Sequence, residues 1–575
     1  MTTRSPRWLG FGPIALLMAC AQAGPAAGGS EAPAAGDVGP PKTIVIAQLA
    51  PTTSFGPWQF SNTGGGQAPL VELHTQGLTG EDSEGRTTPR LIAKMPSFED
   101  GTVTVLADGR MRTTWRLRSD VTWQDGVPFN GEDVVFSYAM NKLPELPPAS
   151  SNLVPSMDSV EAPDPTTVVI TWKSTYYQAL ELTHRAFWMY PKHLLGPAMD
   201  TKEDLSHHPY FTTAYLHLGP FRLVEWGQGE SMLFERYDGY FQGRPKLDKI
   251  VIRVISNTNS VLASLHSGDI DLLPGKTLSN DVYADLAREL EASRQGVVAR
   301  APDNWRYIWF QFDPRWARPI ELSQDVRLRR GLLLGLDRPS IRELVHPGMP
   351  EADVDSFLAI NDPRNSVVGQ PFAPYRHDPS RALQTWAEGG WERAADGRLL
   401  NRAGQTVPLE IRGTEQEARQ IAAVAAGWRQ FGLDAHEAVT PPALSRDSEW
   451  KATFPAMESR GRGSGETVFT SFDSRESALP ENRWVGANNG HYDNPVLNGL
   501  IDDMYRSLDS SARTAKMKEA GQILADDLPA IPLYYGMMFM VVRSTLNGVA
   551  AHDFEHMGDS SGSSMSRNAH LWDRA

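Results

Sequence analysis

A chain of 575 residues with 41% hydrophobic and 22% charged content is long enough, and ordinary enough in composition, to bury several cores. Its formal net charge of -14, with no basic block to offset it, argues against a nucleic-acid partner, whose phosphates it would repel. One cysteine allows no internal disulfide, so packing must hold the fold.

Arg4 and Arg7 precede an apolar run from Trp8 to Ala19. At about twelve residues the run is too short to be a transmembrane helix of the finished protein. A basic start, a short apolar region and small residues beyond it make residues 1–19 a secretory signal. Leu17-Met18-Ala19-Cys20 resembles the lipobox of bacterial lipoproteins, which implies lipidation of Cys20; Met18 stands where a small or β-branched residue is more usual. Residues 20–41 are almost all Ala, Gly and Pro and read as a flexible tether. The expectation is an extracytoplasmic, membrane-anchored lipoprotein, in the periplasm or on the outer face of the cytoplasmic membrane. Cleavage beyond Cys20, giving a soluble periplasmic or secreted protein, is the alternative. The remaining body of roughly 530 residues has room for two or three domains.

Lys42–Leu49 reads as a first strand, followed by a long polar, glycine-rich loop that carries aromatics. The alternation in Met111–Leu117 and the Asp108-Gly109 turn predict a hairpin. A helix is expected from Asn130, which can cap it with Asp133 in a box-like position. VVITWK is a further strand. GPFRLVEW and SMLFERYDGYF read as a strand pair, KIVIRVIS as a continuous apolar strand, SNTNSVLASLHSG as a helix with a glycine end, and residues 269–273 as a short strand. This order suits a mixed sheet covered by helices. Further on, WRYIWFQF is an aromatic strand, with helices at Asp325–Leu336, Arg338–Val345 and 378–391. Gln405–Ile411 is a strand, and Gln416–Phe431 an amphipathic helix. Pro495 opens another helix after Asn494, Ser511–Leu528 is the next, and IPLYYGMMFMVVR is a final buried strand.

Three stretches carry a resemblance: WRLRSDVTWQDGVPFNGEDVVFSYAMN (115–141), the run from Leu218 to Leu273, and YDNPVLNGLIDDMYRSLDSSARTAKMKEAGQILADDLPAIPLYY (492–535). They resemble the extracytoplasmic solute-binding proteins of peptide, oligopeptide and nickel ABC importers, family 5. The resemblance implies an α/β, two-lobed periplasmic-binding-protein-like fold (type II, cluster C) with an extra inserted domain. It implies a first lobe from 42–84, 210–304 and 521–575, an inserted domain at 85–209, and a second lobe at 305–520. It further implies a monomer that captures a peptide or similar small solute between its lobes and delivers it to a membrane permease, which is coupled to ATPase subunits. No catalytic residue, cofactor or resident metal is implied. A non-peptide solute such as an opine, an oligosaccharide or a nickel chelate is the alternative within this class. An extracytoplasmic hydrolase and a chaperone-like receptor are alternatives outside it.

The resemblance places the ligand between the lobes. The early loop offers Thr53, Ser54, Phe55 and Trp58 as a cleft wall, or as aromatics packed inward. Peptide-binding members often hold the peptide's amino terminus with an aspartate in a Trp/Ala/Asp/Tyr-like stretch. The comparable region here, residues 454–474, lacks that pattern. Glu458 or Asp473 can replace the acid. Arg460 and Arg462 can instead hold an anion through the rigid guanidinium fork, or belong to a solvated loop. Trp484, Asn488, Asn489 and Tyr492 are further candidates, since amides donate and accept and aromatics stack; a turn at Asn489-Gly490 is the alternative. Gly558-Asp-Ser560-Ser-Gly562 matches the nucleophile-elbow pattern but lacks the apolar strand an elbow needs. His552 and His556 lie four apart without an H-E-x-x-H motif, and His207-His208 reads as surface.

Overall fold

The computed structural model describes residues 40–574, apart from short stretches at 50, 58–67, 83–85, 144–145, 147–152, 202–204, 228, 276–277, 279, 348–354, 360–361, 445–446, 464 and 550–564. The signal, Cys20, most of the tether, Trp58, His552, His556 and the 558–562 motif lie outside the described residues. The body from Lys42 to Ala575 is one compact unit.

The strands of the two main sheets are numbered in chain order. They are β1 (Thr43–Gln48), β2 (Val103–Val105), β3 (Met111–Arg116), β4 (Met157–Asp164), β5 (Thr167–Trp172), β6 (Phe221–Gly227), β7 (Ser231–Arg236), β8 (Lys249–Val254), β9 (Leu272–Leu273), β10 (Gly296–Phe310), β11 (Pro408–Gly413), β12 (Asp434–Val439), β13 (Met457–Arg462) and β14 (Ala530–Arg543). Ten of them form one sheet in the order β12-β11-β13-β10-β14-β9-β1-β8-β7-β6. The long strands β10 and β14 run antiparallel through its middle, from Gly296↔Arg543 at one end to Trp309↔Ala530 at the other. Their register shifts between Pro302 and Trp305, where the chain passes from one half to the other. The result is two α/β lobes joined by two crossing strands.

In the first lobe β1 pairs parallel with β8 and β9. Ile44 and Ile46 pack with Phe234, Ile250, Ile252 and Leu272 on one face. Ala47 and Leu273 pack with Val261 and Leu265 on the other, where the helix Thr258–Ser267 lies. Apolar side chains on both faces are what a buried parallel strand needs, hence the near-continuous apolar run of KIVIRV. Asn257 caps that helix, and Gly268 ends it at φ 82°, a left-handed conformation that glycine adopts without steric cost. In the second lobe Leu409 and Ile411 of β11 meet Ile421, Val424 and Trp428 of the helix Ala418–Arg429 within one core.

β2, β3, β5 and β4 form a separate antiparallel sheet over its own core, including Trp115, Trp123, Trp172 and Ile170. The expected hairpin is there, with Gly109 at φ 85° in its turn. The helix Gly131–Met140 starts in the expected capping box: the Asn130 side chain accepts from the Glu132 amide at 2.8 Å, and Asp133 accepts from the Asn130 amide at 3.1 Å.

Two expectations change. The aromatic strand begins at Gly296, nine residues before Trp305, so it serves both lobes. Its first half places the exposed Val297 on the same strand face as the buried Ala299 and Ala301, so burial there does not follow the two-residue alternation and side chains that small give a weak signal. The segment around Arg460 is no solvated loop: Met457–Arg462 is β13, hydrogen-bonded between β10 and β11. Its polar sequence hides a strand because its buried polar groups satisfy one another. Glu458 pairs with Arg460, and the Ser459 hydroxyl accepts from Gln420 at 2.8 Å.

Candidate functional site

Strand direction locates the site. β9 pairs Leu272↔Val542 and then Leu273↔Val541, so it runs toward the crossing, and β1 and β8 run with it. β13 pairs Met457↔Phe310 at its start and Arg462↔Trp305 at its end, so it too runs toward the crossing, with β11 and β12 parallel to it. The carboxyl ends of the parallel strands in both lobes therefore converge on the same place. In open α/β sheets ligands bind outside such carboxyl ends.

From the first lobe the ends bring Gln48, whose amide donates to the Thr52 hydroxyl at 3.5 Å. From the second they bring Gly413-Thr414, Thr440 and Arg462-Gly463. Arg306 reaches the Glu417 carboxylate at 3.2 Å, and Glu417 also accepts from the Thr414 amide at 2.9 Å, closing the N-terminus of Ala418–Arg429.

Glu458 and Arg460 are brought together, side by side on one face of β13, with Arg460 Nη2 2.8 Å from the Glu458 carboxylate. Burial pushes the Glu458 carboxyl up to about 7, against the opposing pull of Arg460. Opposite them on β10 stand Trp309 and Tyr307, with Trp305 opposite Arg462. Asp473 is buried too, and its carboxylate pairs with Arg475 at 2.6 Å.

Other candidates are held within their own neighbourhoods. Phe55 lies in the first-lobe core, its ring stacked 4.3 Å from Tyr215, while Thr53 is exposed and Ser54 half-buried. A void of about 20 Å³ beside it, lined by Gln48, Phe55, His74 and Phe234, is large enough for a water and too small for a solute. Asn488 is fully buried: its amide donates to the Asp473 and Tyr492 carbonyls, and its oxygen accepts from the Tyr492 amide. Tyr492 donates to Asp527 and packs on Phe312. Trp484 is half-buried against Trp316 at 5.5 Å, in the left-handed region at φ 61°, and Asn489 beside it is half-buried. His208 accepts from the Tyr210 amide at 3.2 Å.

Sequence reasoning missed a contact between segment 174–185, which follows β5, and the second lobe. The Tyr177 amide donates to the Tyr505 carbonyl at 2.9 Å, and the Thr175 hydroxyl to the Arg506 carbonyl at 2.7 Å. Tyr176 stacks on Tyr505 at 6.0 Å, and the Arg513 guanidinium lies 4.6 Å over the Tyr177 ring. Glu181 accepts from Gln178 at 3.0 Å. Burial, reinforced by the Glu81 and Glu466 charges, holds its carboxyl up at about 7. The only prior signal was a tyrosine pair directly after a strand.

Among the described residues no group of three His, Cys, Asp or Glu side chains is disposed to hold a metal ion. None of their helices is long and apolar enough to cross a membrane.

The sequence profile of the bacterial extracellular solute-binding proteins, family 5 (middle region) matches residues 100–471. The oligopeptide-binding protein AppA of Bacillus subtilis (strain 168) is 24% identical over 459 residues, covering 77% of this chain and 79% of that protein. Among solved structures, NikZ from Campylobacter jejuni in complex with Ni(L-His) superposes with a TM-score of 0.72 at 20% identity, covering 93% of this chain and all of that one. The oligopeptide-binding protein of Thermus thermophilus, complexed with a pentapeptide, gives 0.73 at 21% identity, covering 92% and 96%.

Proposed function

The chain belongs to the bacterial extracellular solute-binding proteins of family 5, and from that premise we propose that it captures a peptide or a similar small solute in the cleft between its lobes and hands it, as a monomer, to an ABC permease. It is a binding protein and not an enzyme. The observation that carries the reading is the convergence of both lobes' strand ends on the crossing of β10 and β14. A solute placed there touches both lobes and stabilises the closed arrangement, a population shift that a permease can recognise. The separate β2–β5 sheet is the inserted domain of this design, and Cys20 its lipid anchor outside the cytoplasm.

That AppA of Bacillus subtilis is an oligopeptide-binding protein favours a peptide. The Ni(L-His) complex of NikZ keeps a metal chelate in view. A thermal-shift screen over di- to pentapeptides, opines, oligosaccharides and nickel chelates tests the proposal. A saturable shift with peptides is the expected result. Saturation by a sugar or a chelate, with none by any peptide, would remove the peptide from it.

A further inference from the structure

Among the described residues, five arginines at or beside the carboxyl ends of the second-lobe strands bear on the cleft, and four have a carboxylate partner. Arg306 has Glu417 at 3.2 Å, Arg412 has Glu410 at 3.0 Å, and Arg460 has Glu458 at 2.8 Å. Arg364 has Asp362 at 2.6 Å and Glu466 at 2.7 Å. Arg462, the last residue of β13, has no carboxylate within 4.0 Å among the described residues. Its Nη2 donates to the Ala487 carbonyl at 3.3 Å, which fixes the guanidinium without neutralising it. The Glu476 charge is felt from farther off.

The surroundings are those of an anion's seat. Arg462 is half-buried opposite Trp305, where the lobes meet. Next to it, a Cβ on Gly463 would have nothing within 4 Å, so the strand end faces open space. Behind it sits the fully buried Tyr307 hydroxyl, with Ser471 and Arg462 as polar neighbours. No well-directed hydrogen bond reaches that hydroxyl, the Ser471 hydroxyl or the Trp305 indole N–H. Each of these groups can donate, the indole N–H exclusively and the two hydroxyls as well as accepting. A half-desolvated cation without a counter-ion is costly, and an incoming carboxylate offsets that cost through two parallel N–H···O bonds. An ammonium group would meet repulsion here, since the only acid of β13, Glu458, is buried against Arg460.

We infer that Arg462 receives a carboxylate of the bound solute, so that the protein reads its ligand at an acidic end rather than at an amino terminus. This rests on the solute-binding reading above and names the substrate class within it.

The test uses the full mature chain and a tri- to pentapeptide pool prepared with free ends, N-acetylated or C-amidated, with octopine and its dimethyl ester as a non-peptide pair. Binding is read as the concentration giving half the thermal shift. C-amidation or esterification is expected to raise that concentration at least roughly tenfold, as loss of a bidentate charge-assisted contact should, and N-acetylation by less than about threefold. Arg462→Gln is expected to abolish the difference, and Arg462→Lys, which keeps the charge without the fork, to retain part of it. A larger penalty for acetylation than for amidation would overturn the inference, as would undiminished discrimination by Arg462→Gln. The acetyl and amide arms decide with unsubstituted protein even where a variant does not fold. Saturation by a neutral oligosaccharide alone would overturn the carboxylate and leave solute binding standing. No shift with any peptide, opine, sugar or chelate would overturn both.

Discussion

Replacing Tyr177 with alanine should open the cleft without unfolding either lobe. The substitution leaves the backbone bond from residue 177 to the Tyr505 carbonyl and removes the ring. The ring lies under the Arg513 guanidinium at 4.6 Å, a contact worth about 0.5 to 2 kcal/mol as desolvation increases. It also meets the Tyr505 ring at 5.7 Å, for which aromatic pairs contribute about 0.5 to 1.5 kcal/mol. Loss of both removes about 2 kcal/mol from an arrangement in which the segment after β5 touches the second lobe. Where the solute binds that arrangement alone, apparent affinity falls with its population, so Kd rises by roughly 10- to 100-fold. Tyr177→Phe keeps the ring and should stay within about twofold of the parent. Isothermal titration with a solute that saturates the thermal-shift screen measures the change. Small-angle scattering of the unliganded protein should show a larger radius of gyration for the alanine variant, and urea unfolding should show an intact body. A Tyr177→Ala variant that binds as tightly as the parent, with an unchanged radius, would refute the idea that this contact governs closure.

Glu458 and Glu181 are both pushed up to about 7 from 4.5, chiefly by burial. A carboxyl raised in the folded state binds protons there that the unfolded chain has released, so each of these two contributes stability that is lost as pH rises from 4.5 through 7, while buried histidines such as His74 and His217, whose pKa values burial lowers, contribute in the opposite sense. For Glu458 the ceiling is about 3 kcal/mol. Urea unfolding across that range should show Glu458→Gln losing less stability with rising pH than the parent does; a difference between the two proteins that stays constant with pH would contradict it. Gly331→Ala sets helix propensity against packing. It gains about 1 kcal/mol of propensity, yet its Cβ would stand 2.2 Å from the buried Trp386 indole, and displacing a packed indole costs about 1 to 3 kcal/mol. A lower melting temperature is expected. Intact-mass measurement of native protein should show an acylated Cys20 at the N-terminus; an unmodified Cys20, or a terminus beyond it, removes the anchor.

The scaffold was legible because its elements obey one local rule at a time. Thr43–Gln48 and Lys249–Val254 are strands by apolar run, Gly131–Met140 is a helix by its Asn130 and Asp133 box, and Thr258–Ser267 ends where Gly268 permits a left-handed turn. The site was legible only in part. Glu458 and Arg460 were singled out and do lie together, but as partners, and that pairing follows from a strand that their polarity concealed. Asn488 was chosen for its amide, yet that amide is consumed by the Asp473 and Tyr492 carbonyls. The Tyr177–Tyr505 contact joins residues more than three hundred positions apart, a relation that no local pattern encodes.

That division has a physical cause, and it bears on which residues select the ligand. Side chains within the strands are tied to the core by the two-residue alternation, so their identity reports packing. Side chains at the carboxyl ends escape it. There the Coulomb balance is set by few groups, and a single cation without a counter-ion changes what the cleft accepts. Arg306, Arg412 and Arg460 are each neutralised within 3.2 Å and act as structure. Arg462 differs from Arg460 by two positions on the same strand face, yet it stands beside open space and lacks an acid at contact distance. Exchanging the two roles would need only a carboxylate near residue 462. If Arg462 acts as inferred, a fold shared with AppA and NikZ would change its solute through substitutions at the strand ends, with its cores untouched.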